Sequence, residues 1–200
     1  MKRFNCDFSS RFRILKGGKI SLVVSALLGS AIIASAAPTG GVVTSGDATI
    51  SQSGNTTNIT QTTQKASINW QGFSINSNET VNFNQPNVNS ITLNRVVGNE
   101  RSVIDGALNA NGQVWILNSN GILFNKNAKV NTAGIVATTK DISDADFQAG
   151  NYKFSGDSTA SVVNMGTIEV SESGYVALLA NTVSNDGTIK AYKGTVHLIG

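Results

Sequence analysis

The chain is predicted to be an all-β protein, a parallel β-helix, and three observations carry that prediction. Between positions 103 and 138, short apolar runs (Gln113 to Leu117, Ile122 to Phe124, Ile135 to Ala137) alternate with corners rich in Asn and Gly. These runs are strand-sized and too short for helices. The sequence also repeats itself. Asn164-Met-Gly-Thr-Ile168 returns as Asn185-Asp-Gly-Thr-Ile189, 21 positions later, and Gly174-Tyr-Val-Ala-Leu-Leu179 returns as Gly194-Thr-Val-His-Leu-Ile199, 20 positions later. Asp105-Gly-Ala-Leu108 followed by Gly112-Gln-Val-Trp-Ile-Leu117 is a third copy. A coil of that length cannot bury its apolar face alone, so successive coils must stack. A β-sandwich would share the short strands but gives no reason for one Asn-x-Gly-x-Ile corner to recur at a fixed offset.

Residues 1–36 read as an extended signal peptide. Lys2, Arg3, Arg11, Arg13, Lys16 and Lys19 precede the apolar run Ile20 to Ile33, and Ala34-Ser-Ala36 then Ala37 supply a small-residue cleavage site. The residues that define the cut are Ala34, Ala36 and Ala37. The run is shorter than the roughly 20 residues a spanning helix needs, which favours cleavage over a retained anchor. Cutting after Ala36 leaves nine basic and eleven acidic residues, so the positive charge of the precursor belongs to its leader. No basic cluster remains, and a nucleic-acid partner is not expected. Cys6 leaves with the leader too, and the remaining chain, residues 37–200, has no cysteine. That fits export in an unfolded state, and equally a stacked core that needs no disulfide.

Within 37–200, the Thr/Asn/Gln-rich tract from 38 to 66 reads as exposed, weakly amphipathic strands forming an N-terminal cap over the first coil's open edge. Ala66 to Ile75, Glu79 to Pro86 and Ser90 to Gly98 then alternate with period two between Asn-rich turns and read as strands, with Trp70 and Phe73 as core anchors. Arg95 and Arg101 lie close in sequence to Glu100 and Asp105, which predicts a local ion pair. From Asp141 to Gly156 the rhythm breaks. This stretch reads as an insertion outside the coil, a hairpin covering one face, with Asp144-Ala-Asp146 as a turn or helical start and Tyr152 and Phe154 in a strand. The final apolar strand, Thr195 to Ile199, reads as an edge that a longer repetitive protein would continue.

Chemistry is hard to place on this sequence. His197 is its only histidine, which leaves no Ser/His/Asp or Cys/His arrangement. No metal-ligand spacing occurs, since Asp141, Asp144 and Asp146 lack the Gly and distal Glu of a calcium loop, and no phosphate-cradling loop follows a strand. No metal or cofactor is therefore expected. A β-helical polysaccharide lyase would need carboxylates clustered on one sheet, whereas Asp105 and Asp186 sit in corners. The Asn55, Asn58 and Asn78 sequons are of a kind that arises by chance in an Asn/Thr-rich chain.

Several segments together carry a family resemblance: Asn69-Trp-Gln-Gly-Phe73, Val81-Asn-Phe-Asn-Gln-Pro-Asn87, Leu93-Asn-Arg-Val-Val-Gly98, Gly112 through Phe124, Gly134-Ile-Val-Ala-Thr-Thr139 and Asp141 through Phe147. From Ala37 to Gly200 the chain resembles the two-partner-secretion domain, the N-terminal haemagglutination-activity domain of filamentous haemagglutinins and high-molecular-weight adhesins. The family's Asn-Pro-Asn-Gly-Ile/Val motif stands here as Asn118-Ser119-Asn120-Gly121-Ile122, with Ser in place of Pro.

The resemblance implies a right-handed β-helix with an N-terminal cap and extra-helical β-hairpins, no enzymatic activity, and a secreted or cell-surface location outside the Gram-negative outer membrane. It further implies a partner, an outer-membrane β-barrel transporter with periplasmic transport-associated domains. Asn118, Ser119, Asn120, Gly121 and Ile122 are then the expected recognition or folding motif. The runner-up is an adhesin module binding a glycan or protein on a host cell surface; an autotransporter passenger would require a membrane barrel in the same chain.

Overall fold

A computed structural model of the protein describes residues 37–200. Ala34 and Ala36 of the expected cleavage site lie outside the described residues, and Ala37 is buried at their start. Two strands, β1 (Val42–Ser45) and β2 (Ala48–Ser53), precede the first coil, which consists of β3 (Thr56–Gln61) and β4 (Lys65–Trp70). The second coil holds β5 (Thr80–Asn84), β6 (Ile91–Val96) and β7 (Ser102–Ile104), and the third holds β8 (Ala107–Ala110), β9 (Gln113–Leu117) and β10 (Ile122–Phe124). In the fourth, β11 (Lys129–Thr138) is followed by the helix α1 (Asp144–Ala149) and β12 (Ser161–Asn164). Then come β13 (Thr167–Leu179) and β14 (Thr182–Asn185), and finally β15 (Thr188–Ala191) and β16 (Thr195–Ile199).

Coil pairs with coil in parallel on three faces, which makes the fold a β-solenoid. The first face stacks β3, β5, β8 and the N-terminal halves of β11 and β13, then β15. The second stacks β4, β6, β9 and the C-terminal halves of β11 and β13, then β16. The third stacks β7, β10, β12 and β14. The register reproduces the sequence repeat: Thr167 lies beside Thr188 and Tyr175 beside Thr195. Because side chains alternate in and out along each strand, register aligns like with like. Val81, Leu108, Val130, Ile168 and Ile189 form one inward column, and Val114, Ile135, Val176 and Val196 another. Each fully buried member contributes roughly 1.5–3 kcal/mol of apolar transfer. Trp70 and Phe73 are core anchors as expected, in edge-to-face contact with ring centroids 5.6 Å apart.

Three details differ from the sequence reading. The cap is shorter than expected. Only β1 and β2 run antiparallel, against β4 and β3, while Thr56–Gln61 is already a rung, with Thr57, Ile59 and Gln61 buried. Its polarity misleads because the next rung supplies partners for Gln61: its Nε2 donates to the Ile91 carbonyl at 3.3 Å and Thr92 Oγ1 donates to Gln61 Oε1 at 2.6 Å inside the stack. The Asn131-Thr-Ala-Gly134 corner does not end a strand either; β11 bends through it, with a register irregularity against β13.

The third difference is the insertion. Its ends meet as a hairpin, through an antiparallel bridge between Asp141 and Ser155, but its arm is a helix instead of a strand through Tyr152 and Phe154. Local chemistry explains this. Ser143 caps α1 by accepting from the Asp146 amide, Asp144 and Asp146 sit in the first turn, where carboxylates suit the helix dipole, and Gly150 ends it at φ 82°. Phe147 and Ile142 then bury the outer side of the second face together with Leu93, Trp115, Leu117 and Val136, a second core outside the coil.

Candidate functional site

The Asn118 corner joins the second face to the third. Asn118 is only 1% exposed. Its Nδ2 donates to the Glu100 carbonyl and to Ser102 Oγ, both at 2.9 Å, and its Oδ1 accepts from the Asn120 amide at 2.9 Å. Asn120 Nδ2 reaches the Gly98 carbonyl at 2.9 Å. Both carboxamides are therefore spent tying this corner to the coil before it, where backbone groups would otherwise be buried unpaired. Gly121 holds φ 99°, and a Cβ there would stand 3.0 Å from the Ser161 carbonyl, so both conformation and space select glycine. Ile122 is buried between Ser102 and Val162 of the adjoining rungs. Ser119 alone is exposed, and its carbonyl accepts from Ser158 Oγ at 2.6 Å.

Beside this corner lies a cavity of about 260 Å³ whose lining includes Gly98, Asn120, Thr139 and Arg95. Arg95 forms no ion pair with Glu100 or Asp105, contrary to the sequence expectation. Its Nε donates to Asp141 at 2.8 Å and one terminal nitrogen to Asp144 at 2.9 Å and Asn69 at 3.0 Å; the other terminal nitrogen donates to the Ile142 carbonyl. Thr44 Oγ1 donates to the second Asp144 oxygen at 2.6 Å. Burial alone would raise the Asp144 carboxyl, but the Thr44 hydroxyl and the Arg95 guanidinium outweigh it and hold it below the usual range.

Lys65 completes the contact. Its ammonium donates to the Phe147 and Gln148 carbonyls at the end of α1, at 2.9 and 3.2 Å, and lies 5.0 Å from the Tyr152 ring centre. The insertion from the fourth coil is thus fastened to the cap, the first coil and the second. Sequence reasoning placed the insertion but missed its fasteners. No spacing in the sequence says that the Arg95 guanidinium will meet a carboxylate 46 positions away.

Among the described residues, no group of three or more His, Cys, Asp or Glu side chains is placed to hold a metal ion, and no helix is long and apolar enough to cross a membrane. Asp105 accepts from Asn127 at a corner, and Asp186 accepts from Ser184 at another. The two sit apart from each other, not as paired carboxylates on one sheet.

A stacked coil with a capped first rung, an outer insertion and a corner held by buried Asn defines a capped parallel β-solenoid domain. The chain matches the family model of the TPS secretion domain over residues 34–200, and it belongs to that family. Its fold matches the crystal structure of the HMW1 secretion domain from Haemophilus influenzae with a TM-score of 0.73 and 41% identity, over 76% of this chain and 41% of that one. It is 38% identical over 189 residues, 90% of this chain, to a heme/hemopexin-binding protein of Haemophilus influenzae. A second protein of that name from Haemophilus influenzae is 41% identical over 96 residues, 48% of this chain. The chain spans 21% of the first relative's length and 10% of the second's. Family and fold are those of the secretion domain of a two-partner exoprotein, a system whose exoproteins leave through the outer membrane with a transporter as second partner.

Proposed function

We propose that this domain is the export label of its exoprotein, recognised in an extended state by an outer-membrane β-barrel transporter through that partner's periplasmic domains, and that it nucleates solenoid folding once outside the cell. The observation that carries this reading is the burial of Asn118. In the folded domain no partner can touch its side chain, because both ends of the carboxamide are occupied by the neighbouring coil and by Asn120. A transporter that depends on Asn118 must therefore meet it before the corner closes, or depend on the corner closing afterwards.

The N-terminal strands support the same reading. In the folded state β1 and β2 already cover the edges of β4 and β3, so their backbone groups are paired. Unfolded, the Asn/Thr-rich segment from Val42 to Gln61 offers a row of free donors and acceptors suited to strand addition on a partner's sheet edge. The test is capture of the chain by the transporter's periplasmic domains, comparing chain rapidly diluted from urea with chain allowed to refold first. Binding by the freshly diluted chain and none by the refolded one is expected; equal binding by both overturns the extended-state reading.

A further inference from the structure

Next to the insertion, on the outer side of the second face, runs a groove of about 650 Å³ that the export reading does not use. Its aromatic residues are Trp115, Tyr152, Phe154 and Tyr175, and Gln113, Thr195 and His197 stand among them. Tyr175 lies flat against Gly134, where a Cβ would come within 2.8 Å of the ring. Its hydroxyl accepts from Trp115 Nε1 and donates to Gln113 Oε1, each at 2.7 Å, which fixes the ring in place. Burial pushes that hydroxyl up to about 12, so it stays protonated. Whereas Trp115, Phe147, Tyr152 and Phe154 contact one another, no aromatic ring among the described residues packs on Tyr175.

We infer that this groove is a binding site for a neutral oligosaccharide, with Tyr175 as the platform for a pyranose ring. Among the described residues no Asp, Glu, Lys or Arg lines the groove, so an ionic ligand would lose its hydration with no counter-charge in return. A purely apolar ligand would strand the Thr195 hydroxyl and the His197 imidazole, which have no hydrogen-bond partner among the described residues. An uncharged sugar meets both conditions. Its C–H face covers the Tyr175 ring, and its equatorial hydroxyls meet Gln113 on one side and Thr195 and His197, one rung further on, on the other. From β9 to β16 the groove spans three rung spacings, about 14 Å, the length of two to three pyranose units. This inference stands apart from the export reading and does not depend on it.

The test is titration of the purified chain with cellohexaose, maltohexaose and chitohexaose, with a heparin hexasaccharide as charged control, following tryptophan emission. Trp70 is sealed in the coil, so a change reports Trp115. A saturable change with at least one neutral hexasaccharide is expected, weakened roughly tenfold or more by Tyr175→Ala and by roughly three- to tenfold in His197→Ala. Tyr152→Ala, at a residue 42% exposed, removes a groove wall and is expected to weaken binding while far-ultraviolet circular dichroism, which reports the sheet, stays unchanged. No response to any neutral sugar overturns the inference, as does a response to heparin alone or one unaltered in Tyr175→Ala. A change that follows protein concentration without sugar assigns the groove to a second copy and overturns it too.

Discussion

Arg95 on β6 and Asp144 at the start of α1 stand 2.9 Å apart across 49 positions of chain, and their pairing joins the second coil to an insertion that leaves the fourth. The Arg95 side chain is 15% exposed and that of Asp144 30%, so solvent screens the pair only in part. Around it, Thr44 of the cap and Lys65 of the first coil fasten the same insertion. The insertion cannot dock until the coils beneath it have stacked, which makes its docking a late event in folding.

Replacing Arg95 by Met removes the guanidinium while keeping an apolar stem, and leaves Asp141, Asp144 and the Ile142 carbonyl without their shared donor. A loss of about 2 kcal/mol is expected, because stranding a partly buried charge costs more than its pairing gains. Denaturant unfolding measures it, and near-ultraviolet circular dichroism of Trp115 reports whether the insertion has lifted.

The same pair sets a pH response. Asp144 is held below the ordinary carboxylate range of about 3.9, so its contribution is complete at neutral pH and is lost as pH falls through the folded value. Protease cutting at Lys153 is expected to rise below about pH 4 in the wild type. Asp144→Asn is expected to raise cutting at neutral pH and flatten that dependence.

At the corner, Asn118→Ala leaves the Glu100 carbonyl, Ser102 Oγ and the Asn120 amide without their buried partner, an expected cost of about 2–3 kcal/mol. Asn120→Ala loses chiefly the bond to the Gly98 carbonyl and is expected to cost about 1 kcal/mol. The difference in urea midpoint between the two variants, at equal slope, checks the ranking.

Ser119→Pro restores the residue the family motif carries. Among the described residues, no group accepts from the Ser119 amide, so proline removes no hydrogen bond there. A gain of about 0.5–1 kcal/mol is expected from the stiffer unfolded chain. A loss in thermal unfolding would show that the backbone at 119 does not suit proline.

Much of this structure was legible in the sequence because solenoid coils are local. Asn164 and Asn185 sit 21 positions apart, and their side chains meet at 2.7 Å, so a repeat in the text is a contact in space. The outward ladder in which Asn82 donates to Asn58, Asn109 to Asn82 and Asn131 to Asn109 follows the same rule. What escaped is what breaks the repeat. Lys65 meets the Phe147 carbonyl 82 positions later, and no periodicity announces a contact made by an insertion folding back over coils laid down earlier. Short polar strands were also misjudged, since Gln61 is buried only because Thr92 and the Ile91 carbonyl are stacked to receive it.

Export of the chain from cells that carry its transporter tests the central claim most directly, with the amount outside the cell compared between wild type, the Asn118→Ala/Asn120→Ala variant and wild type in cells lacking the transporter. Full export of the wild type, none without the transporter and a loss of roughly tenfold or more in the double variant are expected. Undiminished export of the double variant, or export that persists without the transporter, would contradict it.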